Sequence, residues 1–398
     1  MAKSSTARRA WERVAKSSRA NVQAEWIYSI SLYLILFNRI FSQIGPNLGI
    51  DWLGEMPLAE LAVALLMIRF VALMPKMKLG ELFLAVATLC LSAISMMSSK
   101  QSYLLVTFLL LYGIGNIDLR KLLKNCGRIV LCTVAFLGIL QCLVYILSGS
   151  LPGAVTRESG RVRLSFFFVH PNFLAALTTM AFIAVSLGWR KLNARHLFLG
   201  LCLAGAILVV TDSKTSTFIL ILYLVIRYFM QARPPEKQRW LTMVIASLPI
   251  FCSILVILTM MNSMPGVLYR LLQKVLTGRP GYWLLQFEQM GGWTMLGRQT
   301  IYGDYYYNGW LYPAVTIDCY YAAALLQLGS WSLIFFIGLY LNSIYKFSNK
   351  NDTAGLCVLM SCALFGFTEV HMVDMAVCYP LLVLGENFSS FKQTLRSS

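Results

Sequence analysis

Charge is scarce in this chain of 398 residues: only 13% are Asp, Glu, Lys or Arg, about half the share of an ordinary globular protein. With 58% of its residues hydrophobic, against about 45–50% in soluble domains, the chain cannot cover its apolar surface as a water-soluble fold. Histidine occurs three times, and none of the ten cysteines stands in a CxxC pair. A zinc site or a dithiol redox motif therefore has no basis. Most cysteines, such as Cys90, Cys132, Cys142, Cys202 and Cys362, lie in apolar runs, where they behave as small hydrophobes. Neither H-E-x-x-H nor G-x-S-G occurs, which argues against an intramembrane protease. The expected chemistry uses no metal and no cofactor.

What the chain has instead is a succession of apolar runs, at 27–44, 58–74, 82–97, 103–117, 129–148, 166–188, 197–211, 216–230, 240–260, 317–345, 353–370 and 376–388. At about 20 residues per helical crossing, they predict an all-α, polytopic integral membrane protein of about 12 transmembrane helices, with a large outer loop between spans 9 and 10. The last run is short enough to be a partial crossing. One membrane domain, 27–390, is expected between a basic N-terminal segment, 1–26, and a tail, 391–398.

The acidic shortage, 17 Asp and Glu against 34 Lys and Arg, would suggest a nucleic-acid partner in a soluble chain. Here sidedness accounts for it. With the N-terminus inside, the inner segments hold 22 Lys and Arg and the outer ones nine, a bias of the kind that orients membrane proteins. No nucleic-acid partner is expected, and both termini should be cytoplasmic. The segment "AKSSTARRAWERVAKSSRA" lacks an apolar core of its own, so it reads as a weak amphipathic helix on the anionic leaflet rather than a signal peptide.

Two outer segments are long, 149–165 and 261–316, and loops of that length are usually functional or disordered. Ten aromatics crowd the stretch from Tyr282 to Tyr312, among them Tyr305, Tyr306 and Tyr307. They fit either an interfacial belt or stacking against sugar rings, with tyrosine hydroxyls hydrogen-bonding. The stretch "VLYRLLQKVL" sets Val267, Leu268, Leu271, Leu272, Val275 and Leu276 on one helical face, the pattern of an interfacial helix. Outer cations run against the sidedness bias: Arg157, Arg161 and Arg163 in "TRESGRVRLS", Lys214 in "TDSKTS", and Arg279 and Arg298 in the large loop. Arginine forks bind phosphate bidentately, so the set fits a lipid pyrophosphate, although ordinary phospholipid headgroups would also attract them. His170, Pro171 and Asn172 form a polar triplet early in a span, costly unless it lines a cavity or is paired; a proline kink is the structural alternative. Asp318, Glu369, His371 and Asp374 complete the candidate acids and bases, with a helix-cap role open for Asp318.

In their order, "RVRLSFFFVHPNFLA", "TDSKTS", "LTGRPGYW", "WTMLGRQTIYG" and "TIDCYYAAALLQLGSWS" resemble the O-antigen polymerase and O-antigen ligase superfamily over about residues 150–345. The resemblance implies a glycosyltransferase whose donor is an undecaprenyl-pyrophosphate-linked oligosaccharide at the outer face of the bacterial plasma membrane. It carries the pyrophosphate role onto Arg161 or Arg163 and onto Arg279. Lys214 stands where many relatives have arginine, keeping the charge but losing the fork. Asp318 occupies the place where the ligase branch usually has histidine, which favours the polymerase branch. Arg163 and Arg279 are then expected to bind pyrophosphate, and Asp318 or His170 to act as base. Arg157, Arg161, Asn172, Lys214, Arg298, Asp304, Tyr305 and His371 are expected to contact substrate. Partners implied are the lipid-linked oligosaccharide, membrane lipids, a chain-length regulator and a flippase. The alternatives are ligase-type transfer or a lipid-linked oligosaccharide transporter, although transporters concentrate charge within their spans.

Overall fold

The computed structural model describes residues 2–156, 160–234, 238–276, 278–300, 305–307, 310–312 and 317–388, with backbone alone for 2–24, 305–307, 310–312 and 387–388. In chain order the helices are α1 (Ala2–Leu48), α2 (Asp51–Gly54), α3 (Leu58–Leu73), α4 (Leu79–Ser99), α5 (Tyr103–Gly113), α6 (Leu119–Ser148), α7 (Pro171–Leu187), α8 (Ala194–Thr211), α9 (Lys214–Gln231) and α10 (Arg239–Met260). They continue with α11 (Gly266–Val275), α12 (Arg279–Gln289), α13 (Tyr320–Ala323), α14 (Ser330–Asn349) and α15 (Thr353–Thr368). Two antiparallel hairpins interrupt them, β1 (Val155–Thr156) with β2 (Val162–Arg163), and β3 (Tyr305–Tyr307) with β4 (Trp310–Tyr312).

The chain is an all-α membrane protein. Among the described residues, six helical stretches are long and apolar enough to cross a bilayer: Glu25–Leu48, Asp51–Lys76, Leu79–Ser99, Leu119–Ser148, Ala194–Thr211 and Arg239–Met260. These helices leave large apolar side chains uncovered, such as Ile68 on α3, Phe136 and Ile146 on α6 and Val209 on α8. Apolar surface on that scale is stable only against lipid or another protein.

The shorter apolar helices behave differently. α5 has 11 residues, about 16 Å of helix, too short for a hydrocarbon core of about 30 Å. An apolar helix of about 10–14 residues belongs in a protein interior; α5 is one, and α7 and α15, of 17 and 16 residues, are likewise buried along almost their whole lengths. With them lies a non-α segment. Every residue from 372 to 385 is buried, and the expected run 376–388 forms a 3-10 helix over Tyr379–Phe388. Non-α backbone at membrane depth is tolerated where protein covers it; α5, α6, α7, α14 and α15 do so here.

The run expected as one span over 317–345 is broken. After α13 the helix widens into a π turn over Ala324–Leu328, and Gly329, at φ +100°, starts a new direction into α14. The carbonyls freed by this break are taken by the preceding loop: Thr294 N–H donates to Leu325 O at 3.0 Å, and Arg298 N–H to Gln327 O at 2.9 Å. Ser95 Oγ of α4 donates to Leu328 O at 2.6 Å. The helix expected over 267–276 forms as α11, with Val267, Leu271 and Val275 exposed. The basic N-terminal segment continues into α1 without a break at residue 26.

A Cβ at residue 329 would lie 2.5 Å from Met295 O, at a backbone angle side chains rarely adopt. Gly329→Ala should cost about 1–3 kcal/mol for the sparsely populated backbone angle alone, with the clash added. A lower melting midpoint of the purified variant is expected, and an unchanged one would contradict this close approach.

Candidate functional site

At one end of the bundle, a cavity of about 450 Å³ opens between α1, the α4–α5 connection, the start of α7, the start of α12, the π turn and the end of α15. The loop before α7 is built to deliver side chains there. Phe166 and Phe167 hold φ of +49° and +67°, a region that bulky residues seldom adopt. The turn is fixed from outside by Asn47 Nδ2, which donates to Phe167 O at 2.9 Å, and by Val169 N–H, which donates to Gln43 O at 2.8 Å. His170 then caps α7, and Pro171 occupies its first turn, where a missing N–H costs nothing.

The cap identifies the state of His170. Its Nδ1 accepts from Asn172 N–H at 3.1 Å, so the neutral ring carries its proton on Nε2. Burial lowers the imidazole pKa, and Arg163 and Arg279 lower it further against the pull of Asp318. His170 is therefore a hydrogen-bond donor to the cavity. The base role expected for it does not fit, because the lone pair is already used.

Gly278, at φ +87°, precedes α12 and places Arg279 at the helix start. The Arg279 side chain, 11% exposed, reaches across to the end of α15. Its Nη1 donates to Thr368 O, its Nη2 lies 3.5 Å from Glu369 Oε1, and its Nε lies 3.8 Å from Asp318 Oδ2. Asp318 is not a helix cap: Cys319 holds that position before α13, and the Asp318 carboxylate lines the cavity. Burial pushes the Glu369 carboxyl up to about 7; Arg279 opposes this and Asp318 adds to it. A carboxyl poised there can take or give a proton at neutral pH.

A second cluster faces the same space. Arg39 Nε of α1 lies 3.0 Å from Asp374 Oδ2, and the guanidinium sits 5.4 Å above the Phe173 ring. His371 Nδ1 is 3.7 Å from the same Asp374 oxygen. Burial holds the His371 pKa down, with Asp374 acting in the opposite direction.

Six residues expected at the site line the cavity: His170, Asn172, Arg279, Asp318, Glu369 and His371. Arg163 does not. Its guanidinium is buried behind Asn172, donating through Nη2 to Asn172 Oδ1 and through Nε to Thr211 O at 2.6 Å. Arg161 pairs with Asp212 at 3.0 Å, so both arginines hold the turn between α8 and α9. Lys214 is exposed at the start of α9, and Arg298 turns back to Met290 O. Arg157 and Asp304 lie outside the described residues, and Tyr305 is described by its backbone in β3. The sequence reading passed over Arg39, Gln43, Gln101, Tyr103 and Gln327, all of which line the cavity. Arg39 had a signal: an ionisable residue inside an apolar run is a functional candidate by default.

No family model, curated protein or solved structure matches the chain.

The titration of Glu369 is directly testable. Infrared difference spectra of the purified protein should show a carboxyl band that Glu369→Gln removes and that titrates with a midpoint of about 7. Arg279→Gln should move that midpoint upward, because the cation favours the ionised form. A midpoint in the ordinary carboxylate range would contradict the buried placement.

Proposed function

We propose that this chain is a bacterial repeat-unit polymerase, working at the outer face of the plasma membrane with both termini in the cytoplasm. It transfers a glycan from undecaprenyl pyrophosphate to a sugar hydroxyl of another lipid-linked repeat. The observation that carries this reading is the cavity itself, in which Arg279 sits between two carboxyls, one of them poised near neutrality, alongside amides and imidazoles suited to hydroxyl groups. The ordered sequence motifs that resemble the polymerase and ligase superfamily support it, as does the aromatic loop that follows α12.

In this scheme the acceptor hydroxyl oxygen bonds to the anomeric carbon. The bond from that carbon to the diphosphate oxygen breaks, and the electron pair leaves with the lipid diphosphate. Glu369 accepts the hydroxyl proton. Its neutralisation weakens its hold on Arg279 as negative charge develops on the leaving diphosphate, so the guanidinium turns from one anion to the other. A cation aimed at developing charge in a poorly hydrated site can supply several kcal/mol of transition-state stabilisation. His170 donates from Nε2, and Arg163 acts on substrate only through Asn172. Arg161, Lys214 and Arg298 add positive potential around the route of the diphosphate, with no metal or cofactor needed. A chain-length regulator and a flippase are the expected partners.

The test is the length distribution of lipid-linked and surface polysaccharide in cells lacking the protein, rescued with wild type, Arg279→Ala or Glu369→Gln. Collapse to single repeats, restored by wild type and not by either variant, is expected. Normal-length polymer retained on its lipid would indicate a ligase, and repeat units trapped inside would indicate a transporter. In a reconstituted assay the wild-type rate should rise with pH through about 7 and then level off, since Glu369 must be ionised to act as base. Glu369→Gln should lower the rate about 100-fold or more, the usual scale of general-base catalysis, and abolish that limb.

A further inference from the structure

The opposite end of the bundle holds a second cavity, of about 520 Å³, where the starts of α6 and α15 meet the ends of α7 and α9. Five cations line it, Arg120, Lys121, Lys124, Arg190 and Arg227, against two acids, Asp118 and Asp352. Both acids are already used. Asp118 Oδ1 accepts from Lys121 N–H at 3.1 Å, capping α6. Asp352 pairs with Arg120 and accepts from Gly355 N–H at 3.1 Å, capping α15.

Two of the cations are likewise committed. Arg120 also reaches Glu386 at 3.3 Å. Arg227, buried, donates to Ser186 O at 2.8 Å, to Tyr223 Oη at 2.6 Å and to Trp189 O at 2.9 Å. Lys121, Lys124 and Arg190 remain, and among the described residues none of them forms an ion pair. Lys121 and Arg190 are exposed and Lys124 is half-buried, its aliphatic stem lying over Gly188, where no side chain intervenes. Sidedness explains why cations collect at one end of a membrane protein. It does not explain why three of them converge on one cavity in which five cations face two acids.

We infer that this cavity binds a phosphate group, held by Lys121, Lys124 and Arg190 between the starts of α6 and α15. The ligand is either the headgroup of an anionic phospholipid or a soluble phosphate compound, and the site stands independently of the glycan-transfer reading. A lysine pair beside an arginine fits such an anion, since lysine binds phosphate as a point charge and arginine as a fork.

The experiment follows the melting midpoint of the full-length protein with two probes. Inorganic phosphate is added in detergent at constant ionic strength, and phosphatidylcholine vesicles are compared with and without phosphatidylglycerol. Wild type should gain stability saturably with at least one probe, and Lys121→Gln/Lys124→Gln should need about tenfold more of it for the same gain. Arg190→Gln, at an exposed position, repeats the test if the double variant folds poorly. Lys76→Gln/Lys78→Gln, exposed beyond α3, controls for general surface charge and should respond as wild type. A gain with phosphate supports a soluble ligand, and a gain with phosphatidylglycerol alone supports a lipid headgroup. The inference is overturned if wild type responds to neither probe, if the cavity variants respond as wild type does, or if the control loses as much as they do.

Discussion

Four arginines take the carbonyls that end four helices, and the architecture rests on them. Arg69 donates to Gly113 O and to Ile114 O at the end of α5; Arg227 donates to Ser186 O and Trp189 O at the end of α7. Arg163 donates to Thr211 O at the end of α8, and Arg279 to Thr368 O at the end of α15. The last carbonyls of any helix lack intrahelical partners, and water satisfies them at an ordinary surface. The helices α5 and α15 stop inside the protein, where an unpaired carbonyl is costly, while α7 stops at the second cavity. A guanidinium supplies several donors and a charge that the helix end favours. Lysine at these positions would bring the charge without the fork.

Short helices become possible on those terms, and the short helices make the cavities. A span that stops early leaves space beyond its end, bounded by the longer helices around it. The first cavity lies beyond the start of α7 and the end of α15, and the second lies beyond their other ends. The same arginines thus serve twice. Arg279 closes α15 and presents its remaining nitrogens to Asp318 and Glu369; Arg227 closes α7 and lines the second cavity. The buried non-α stretch is held in the same way, near its start by Asp374, which pairs with Arg39, and near its end by Glu386, which pairs with Arg120.

Helicity and membrane character were legible from hydropathy, because both depend on composition over long windows. The convergence of His170, Asn172, Arg279, Asp318 and His371 was also legible, since polar residues at the ends of apolar runs need company. The identity of each partner was not. Arg163 and Arg279 look alike in sequence, yet one is buried behind Asn172 and the other faces the cavity. The difference depends on which helix end lies nearby, a long-range fact that spacing does not encode. The break at Gly329 was hidden for a similar reason: a single glycine in an apolar run carries little signal, and the loop 294–298 that satisfies the broken turn lies outside the run. Arg39 was overlooked because its partner, Asp374, is over three hundred residues away in the chain.

The two cavities are joined by α15, whose 16 residues span about 24 Å, and by α7, both buried and continuous between them. Such helices can carry coupling only if they have two arrangements for the two ligands to choose between. The bonds here oppose a second arrangement of α15: Arg120 and the Asp352 cap fix its start, and Arg279 fixes its end. Sliding or rotating it would break charged contacts at both ends at once. Loss of charge around Lys121 and Lys124 therefore acts on its own cavity, and its energetic cost adds to that of a change at Arg279 without interaction, as expected of distant sites with no shared partner.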